Sequence, residues 1–176
     1  MGVNQVDKAI ITGSSGAVGL VLQSVLAEHH IEVVPWDREF VSITDAAEME
    51  LFLREERPDY IFHLATDSHP TGMPNESWLV NVNWTAELAR LTRQMGMTLV
   101  FTSSVMVFSE QAVGPFTLDS NPDVTTGYGY EKWTAEQQVR KLNPQAVIAR
   151  LGWQIGEMPG SNNMVDFLHR EMVSSQ

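Results

Sequence analysis

Eight residues near the amino terminus, Thr12-Gly13-Ser14-Ser15-Gly16-Ala17-Val18-Gly19, set the architecture of this chain. They follow a short apolar run, Lys8-Ala9-Ile10-Ile11, and open a segment with helical periodicity from Leu20 to Ala27. Strand, glycine turn and helix in that order bring free backbone N–H groups and the positive end of a helix dipole to one point, which suits a pyrophosphate. Gly13 turns the chain where a side chain would clash, Gly16 lets the backbone approach a phosphate, and Gly19 lets the first helical turn pack closely. The spacing is G-x-x-G-x-x-G rather than the G-x-G-x-x-G of many dinucleotide sites. A tight turn that holds no ligand is the plain alternative.

The rest of the chain alternates strands and helices. Ile31 to Trp36 reads as a second strand that ends at Asp37, and Val41-Ser42-Ile43 as a short third. Asp37 can bond the ribose 2′-hydroxyl of NAD, whereas Arg38 suits the 2′-phosphate of NADP. Thr44 is a candidate N-cap for a helix carrying Met49, Leu51, Phe52 and Leu53, which ends near Arg57 because Pro58 follows. Asp59 to Ala65 reads as a fourth, fully buried strand. His63 within it is expected to be a core histidine with both nitrogens satisfied. A metal site from His63, Asp67 and His69 is the weaker alternative, so no metal is expected. The polar stretch from Thr66 to Glu76 is a loop beside the cleft, and Ser77 to Gln94 a helix that Gly96 ends. A fifth strand spans Thr98 to Thr102 and runs into Ser103-Ser104. After an irregular stretch from Glu110 to Thr126, Tyr128 to Leu142 is helical, Ala146 to Arg150 is a sixth strand, Gly152 to Asn163 is a loop, and Val165 to Val173 begins a last helix. This predicts an α/β fold of Rossmann type, a doubly wound parallel sheet of about six strands in one domain over residues 1–176, with its ligand cleft at the carboxyl ends of the strands.

Composition excludes several functions. The net charge of −11 argues against a nucleic-acid or anionic-membrane surface, although a helix dipole can still hold phosphates locally. With no cysteine, thiol catalysis and disulfides are impossible. No stretch reads as a membrane span or a signal peptide, so a cytoplasmic location is expected.

Three residues fall where the cleft should be. Ser104 lies just past the fifth strand, and Tyr128 and Lys132, four apart, share one face of the next helix. Hydride reduction of a carbonyl creates an alkoxide that needs a proton. A free tyrosine titrates near 10, and lowering that by about three pH units takes about 4 kcal/mol. One ammonium at about 4 Å supplies roughly that much at an effective dielectric near 20, so Lys132 is expected to tune Tyr128 downward. Ser104 would fix the substrate oxygen.

With these motifs the sequence resembles the extended short-chain dehydrogenase/reductase family from Lys8 to about Phe167. The family's T-G-x-x-G-x-x-G is Thr12 to Gly19. Its fourth-strand pattern resembles Ile61 to Ala65, its N-V-x-G-T resembles Asn81 to Thr85, its S-S/T segment is Ser103-Ser104, and its Y-x-x-x-K is Tyr128 to Lys132. Trp36-Asp37-Arg38, Ile43-Thr44-Asp45, Arg57-Pro58-Asp59 and Tyr128 to Gln137 are similar to dTDP-4-dehydrorhamnose reductases. The resemblance implies Ser104, Tyr128 and Lys132 as catalytic. It implies NADP or NAD held by Gly13, Ser14, Ser15, Gly16, Ala17, Val18, Gly19, Asp37, Arg38, Leu64, Ala65, Thr66, Asn81, Tyr128 and Lys132. The substrate it implies is a keto-sugar nucleotide, reduced at its carbonyl.

Some positions depart from the family's pattern. Trp84 replaces a glycine, Ser42 stands where an aspartate often contacts adenine, and Val105-Met106 stand where the rhamnose-pathway reductases carry Asp-Tyr. The absence of an acidic pair there speaks against dehydration. Family members also continue into a C-terminal domain that grips the sugar nucleotide, and the expectation for these 176 residues is a Rossmann domain without it. Two rivals follow: an NAD-dependent sugar-nucleotide epimerase using the same triad, and a non-catalytic cofactor-binding or regulatory protein. The family commonly dimerises through the two helices Ser77–Gln94 and Tyr128–Leu142, and Trp84, Leu88, Leu91 and Trp133 are the candidate apolar face for a homodimer.

Overall fold

The computed structural model describes residues 6–68, 70–154 and 164–174. In chain order the elements are β1 (Lys8–Thr12), α1 (Ala17–Glu28), β2 (Glu32–Pro35), α2 (Ala46–Glu56), β3 (Tyr60–His63) and α3 (Glu76–Trp78). A π-helical segment (Leu79–Trp84) leads without a break into α4 (Thr85–Met95), followed by β4 (Thr98–Ser104) and a 3₁₀ turn (Val105–Val107). Then come α5 (Gly127–Leu142), β5 (Val147–Leu151) and α6 (Met164–Ser174). The loop expected over Gly152 to Asn163 lies, from residue 155 onward, outside the described residues.

The five strands are all parallel, in the order β2-β1-β3-β4-β5. The sheet grows one way from β1 to β2 and the other way from β1 to β3. That reversal opens a crevice at the carboxyl ends of β1 and β3, where sheets of this kind bind ligands.

Alternate residues of each strand face opposite layers. Ile10, Ile61, Leu99 and Phe101 pack on one side against α2, α4 and α5, through Met49, Leu53, Leu88, Ala135 and Val139. Ala9 and Ile11 face the other way, onto Leu26 of α1. The doubly wound arrangement is therefore present.

Three expectations need correction. Val41-Ser42-Ile43 is not a strand, so the sheet has five strands among the described residues rather than six. Val41 N–H instead closes a turn on Asp37 O at 3.0 Å, and Trp36 Nε1 donates to Val41 O at 3.2 Å. The two apolar side chains still reach the core, beside Trp36. Second, the cap of α2 is Asp45, whose Oδ1 accepts from Ala47 and Glu48 N–H at 2.9 and 3.1 Å, while Thr44 bonds Ser42. Third, Trp84, Leu88 and Leu91 are core residues, each at most 1% exposed. Removing Leu88 and Leu91 from that core would forfeit about 1.5–3 kcal/mol each, so they are not a dimer face. Of the four candidates only Trp133 is partly exposed.

Candidate active site

The glycine turn is built as its spacing requires. Gly13 sits at φ +67°, and a Cβ there would meet Ala65 N at 2.9 Å. A Cβ on Gly19 would run into Gly13 O and lie 2.7 Å from Ser14 Cα. Gly16, by contrast, is exposed and faces open space apart from Gly13 O, so a ligand atom can come up to its backbone. Gly16 also caps α1, without a side-chain acceptor and with no acidic residue in the first turn. The N–H groups of Ala17, Val18 and Gly19 are thus left to an external anion. Ser14 is held from behind, its carbonyl accepting from Gln23 Nε2 at 2.8 Å. Ser15 is exposed at the tip.

Leu64 and Ala65 lie directly under this turn. Their N–H groups donate to Thr12 Oγ1 at 3.1 and 3.2 Å. Thr12 Oγ1 therefore spends its own proton on His63 Nδ1, 2.8 Å away. His63 Nε2 must then carry the ring proton and give it to Thr85 Oγ1 at 2.8 Å, and Thr85 passes its own to Asn81 O at 2.9 Å. Every atom in this chain of bonds has one consistent role only if His63 is neutral. Burial, and then the charge of Lys132, push its pKa well below the ordinary value. His63 is a satisfied core residue, as its place in an apolar strand implied, and it ties the glycine turn to the π-helical segment. Among the described residues no cluster of metal-ligating side chains forms; His69 lies outside them.

Ser104 ends β4, its Oγ accepting from Met106 N–H at 3.1 Å. Tyr128 and Lys132 lie on the first turns of α5. What brings the two segments together is Gly129, a residue that sequence reasoning passed over inside the Y-x-x-x-K motif. A Cβ on Gly129 would overlap Met106 O and lie 2.8 Å from Met106 C, so the helix rests directly on the turn that follows Ser104.

Lys132 is fully buried, and its Nζ has no hydrogen-bond partner. It lies 5.0 Å from the Phe101 ring and 5.6 Å from the Tyr128 ring. Burial drives its pKa down to about 7, against the opposing charge of Glu131. The Tyr128 phenol is pushed up to about 12, by burial first and then by Glu131. This reverses the expectation that Lys132 lowers Tyr128. An amine that is itself half neutral near pH 7 supplies little field, and a buried phenolate loses its hydration. At neutral pH Tyr128 is therefore a protonated donor.

Two carboxylates on α5 were also missed, Glu131, which is half-buried, and Glu136, which is fully buried. Glu131 Oε2 accepts from Ser77 Oγ at 2.7 Å and Asn81 Nδ2 at 2.8 Å, which turns Asn81 toward α5 and leaves its buried Oδ1 unpaired. Glu136 accepts from Ser103 Oγ at 2.6 Å and from Arg150 Nε and Nη2 at 2.8 and 2.7 Å. It pins α5 to β4 and β5. The available signal was Arg150, a cation inside an otherwise apolar strand.

At the far side of the crevice, Asp37 is exposed just beyond β2 and accepts from Glu39 N–H at 2.8 Å. Arg38 is half-buried and pairs with Glu76 at 3.4 Å. Thr66 is half-buried, one residue past Ala65. A hollow of about 860 Å³ lined by Arg54, Arg57, Tyr60 and Gln94 lies at the amino ends of β3 and β4, the opposite end of the sheet, and touches none of these groups.

A nicotinamide dinucleotide fits this set. The glycine turn leaves room and free N–H groups for a pyrophosphate. The orphaned Lys132 Nζ, fully shielded from water, lacks the acceptors that a ribose provides. Fold and residues together define a Rossmann domain of the extended short-chain dehydrogenase/reductase kind. The chain belongs to the RmlD substrate binding domain family, whose model matches residues 7–176.

Among its relatives, the methionine adenosyltransferase 2 subunit beta of Xenopus tropicalis is 27% identical over 161 residues, which is 86% of this chain and 48% of that protein. A dTDP-4-dehydrorhamnose reductase of Streptomyces griseus is 28% identical over 151 residues, 84% of this chain and 50% of that enzyme. The dTDP-4-dehydrorhamnose reductase of Bacillus anthracis, solved in complex with NADP, superposes with a TM-score of 0.82 at 25% identity, covering 99% of this chain and 63% of that one. The chain spans about half the length of the curated relatives it matches. No helix among the described residues is long and apolar enough to cross a membrane.

Proposed function

We propose that this chain is the cofactor-binding and catalytic half of an NAD(P)H-dependent reductase acting on a keto-sugar nucleotide. The observation that carries the reading is Lys132 Nζ, a buried, unpaired amine one helical turn from Tyr128 and 5.6 Å from its ring. The pyrophosphate would lie on the N–H groups of Ala17, Val18 and Gly19, and the ribose hydroxyls would accept from Lys132. Leu64, Ala65 and Thr66 would line the wall of the crevice between the two. When bound, the dinucleotide supplies the hydride that reduces the carbonyl carbon. Ser104 Oγ and Tyr128 Oη hold the carbonyl oxygen, and Tyr128 gives it the proton as negative charge develops there. The phenolate left behind is stabilised by Lys132, which regains full charge once the ribose satisfies it, and is reprotonated from water. Asp37 and Arg38 flank the adenosine ribose, and Arg38 favours NADP.

The test is turnover of a dTDP-4-keto-6-deoxy sugar with NADPH. Replacing Tyr128 by Phe should lower it by at least about a hundredfold while cofactor affinity stays within about twofold. Unchanged turnover would remove Tyr128 from the chemistry.

A second reading is a cofactor-binding regulatory protein. It is favoured by the likeness to a subunit named as the beta subunit of methionine adenosyltransferase 2 and by the exposed Val105 and Met106, 48% and 52% accessible, where the reductases carry a polar pair. Tight dinucleotide binding without turnover of any keto-sugar nucleotide would select it. Retention of NAD through purification would select an epimerase instead.

A further inference from the structure

Glu76 is a carboxylate only 4% exposed, in a short helix at the rim of the crevice. Its two oxygens do different things. Oε2 is enclosed by three backbone N–H groups, from Thr71 at 2.6 Å, Gly72 at 3.0 Å and Met73 at 3.3 Å. Oε1 accepts from Thr71 Oγ1 at 2.9 Å and from Arg38 Nη1 at 3.4 Å. Burial opposes its ionisation, but the bonds from residues 71–73 outweigh burial and keep the carboxyl below its usual range.

The positions of the two partners give this pair its meaning. Arg38 follows β2, and Glu76 follows the loop that leaves β3. In the sheet β1 lies between those strands, so the pair reaches over the carboxyl end of β1, above the glycine turn. Arg38 has five donors, and Glu76 engages one of them, at the long end of hydrogen-bond distance. A guanidinium held by one nitrogen can present the rest of its planar fork to a phosphate.

We infer that Glu76 is a positioning residue that holds Arg38 over the adenosine end of the crevice, so that recognition of a ribose 2′-phosphate and ordering of the 71–73 loop are one event. This rests on the proposed dinucleotide site. The carboxylate stays ionised and most of its hydrogen bonds come from residues 71–73, so it holds Arg38 by one nitrogen and leaves the rest of the fork to a ligand. A ligand with a 2′-phosphate tightens both sides of the bridge, and one with a bare 2′-hydroxyl tightens neither.

The test measures the Kd of NADPH and of NADH for the wild-type chain, Arg38→Ala, Glu76→Gln and the double variant. Arg38→Ala should weaken NADPH about tenfold or more and NADH less than about twofold. Glu76→Gln should weaken NADPH about threefold to tenfold with NADH unchanged, and the double variant should be no weaker than Arg38→Ala alone. Tighter or unchanged NADPH binding in Glu76→Gln, with Arg38→Ala still impaired, overturns the inference but leaves the dinucleotide site standing. No binding of either cofactor to the wild type overturns the site itself, and the inference with it. Hydrogen exchange in the wild type gives a reading independent of any variant's folding. The amides of Thr71, Gly72 and Met73 should be protected more by saturating NADPH than by saturating NADH. Equal protection overturns the coupling.

Discussion

Replacing Lys132 by Met tests the buried amine without reference to any ligand. The side chain is fully enclosed, its Nζ has no hydrogen-bond partner, and burial brings its pKa from 10.5 to about 7. In the unfolded chain the lysine keeps its ordinary value. Between pH 7 and 10.5 the unfolded state therefore binds more protons than the folded one, and stability rises with pH. The penalty is fully present below the folded pKa and fades as pH climbs to the unfolded value. At 1.36 kcal/mol per pH unit it is about 4 kcal/mol at pH 7 and below 1 kcal/mol at pH 10.5.

Methionine has nearly the same length and no charge, so Lys132→Met should be more stable than wild type at pH 7 by about 4 kcal/mol, and the gap should close on approaching pH 10.5. Urea unfolding followed by the fluorescence of the buried Trp36 and Trp84 reads both proteins across that range. Subtracting one from the other removes the titrating groups that Lys132 does not influence; His63, which it does, is held neutral by burial across this range. A difference that stays level within about 1 kcal/mol from pH 7 to 10.5 would refute the reasoning, and so would a less stable variant at pH 7.

Binding of NADPH should draw protons from solution at pH 7–8, because a ribose acceptor and phosphate charge raise Lys132 toward its ordinary value; an indicator-dye measurement showing no uptake, or release, would contradict the assigned contact. Gly129→Ala places a methyl group on the Met106 carbonyl. It should cost about 1–3 kcal/mol in thermal unfolding and lower kcat more than it raises KM, because it parts Tyr128 from Ser104.

The glycine turn, the alternation of strands and helices, and the Tyr128–Lys132 spacing were all legible because each is a local pattern with one physical meaning. What failed was whatever depended on the covering layer. Val41-Ser42-Ile43 has the alternation of a strand, but its two apolar side chains satisfy burial from a turn, beside Trp36, without joining a ladder. The periodicity of Trp84, Leu88 and Leu91 marks one apolar face; it cannot say whether a sheet or a second molecule covers that face, and here the sheet does. The direction of the Tyr128 shift was wrong for a related reason. Charge attraction is readable from an i, i+4 spacing, whereas the depth of burial that weakens it is set by Phe101 and the sheet. Gly129, Glu131 and Glu136 act through residues distant in sequence, and only Arg150 within an apolar strand hinted at one of them.

The central claim is that the turn from Gly13 to Gly19 and the unpaired Lys132 form a working dinucleotide site in this chain. The most direct measurement is a titration of the purified protein with NADPH and with NADH, following quenching of tryptophan emission and energy transfer to the nicotinamide. Saturable binding with Kd on the order of micromolar is expected, with tighter binding of NADPH than of NADH. Absence of saturable binding of either, in a sample shown to be folded by its circular dichroism, would contradict it.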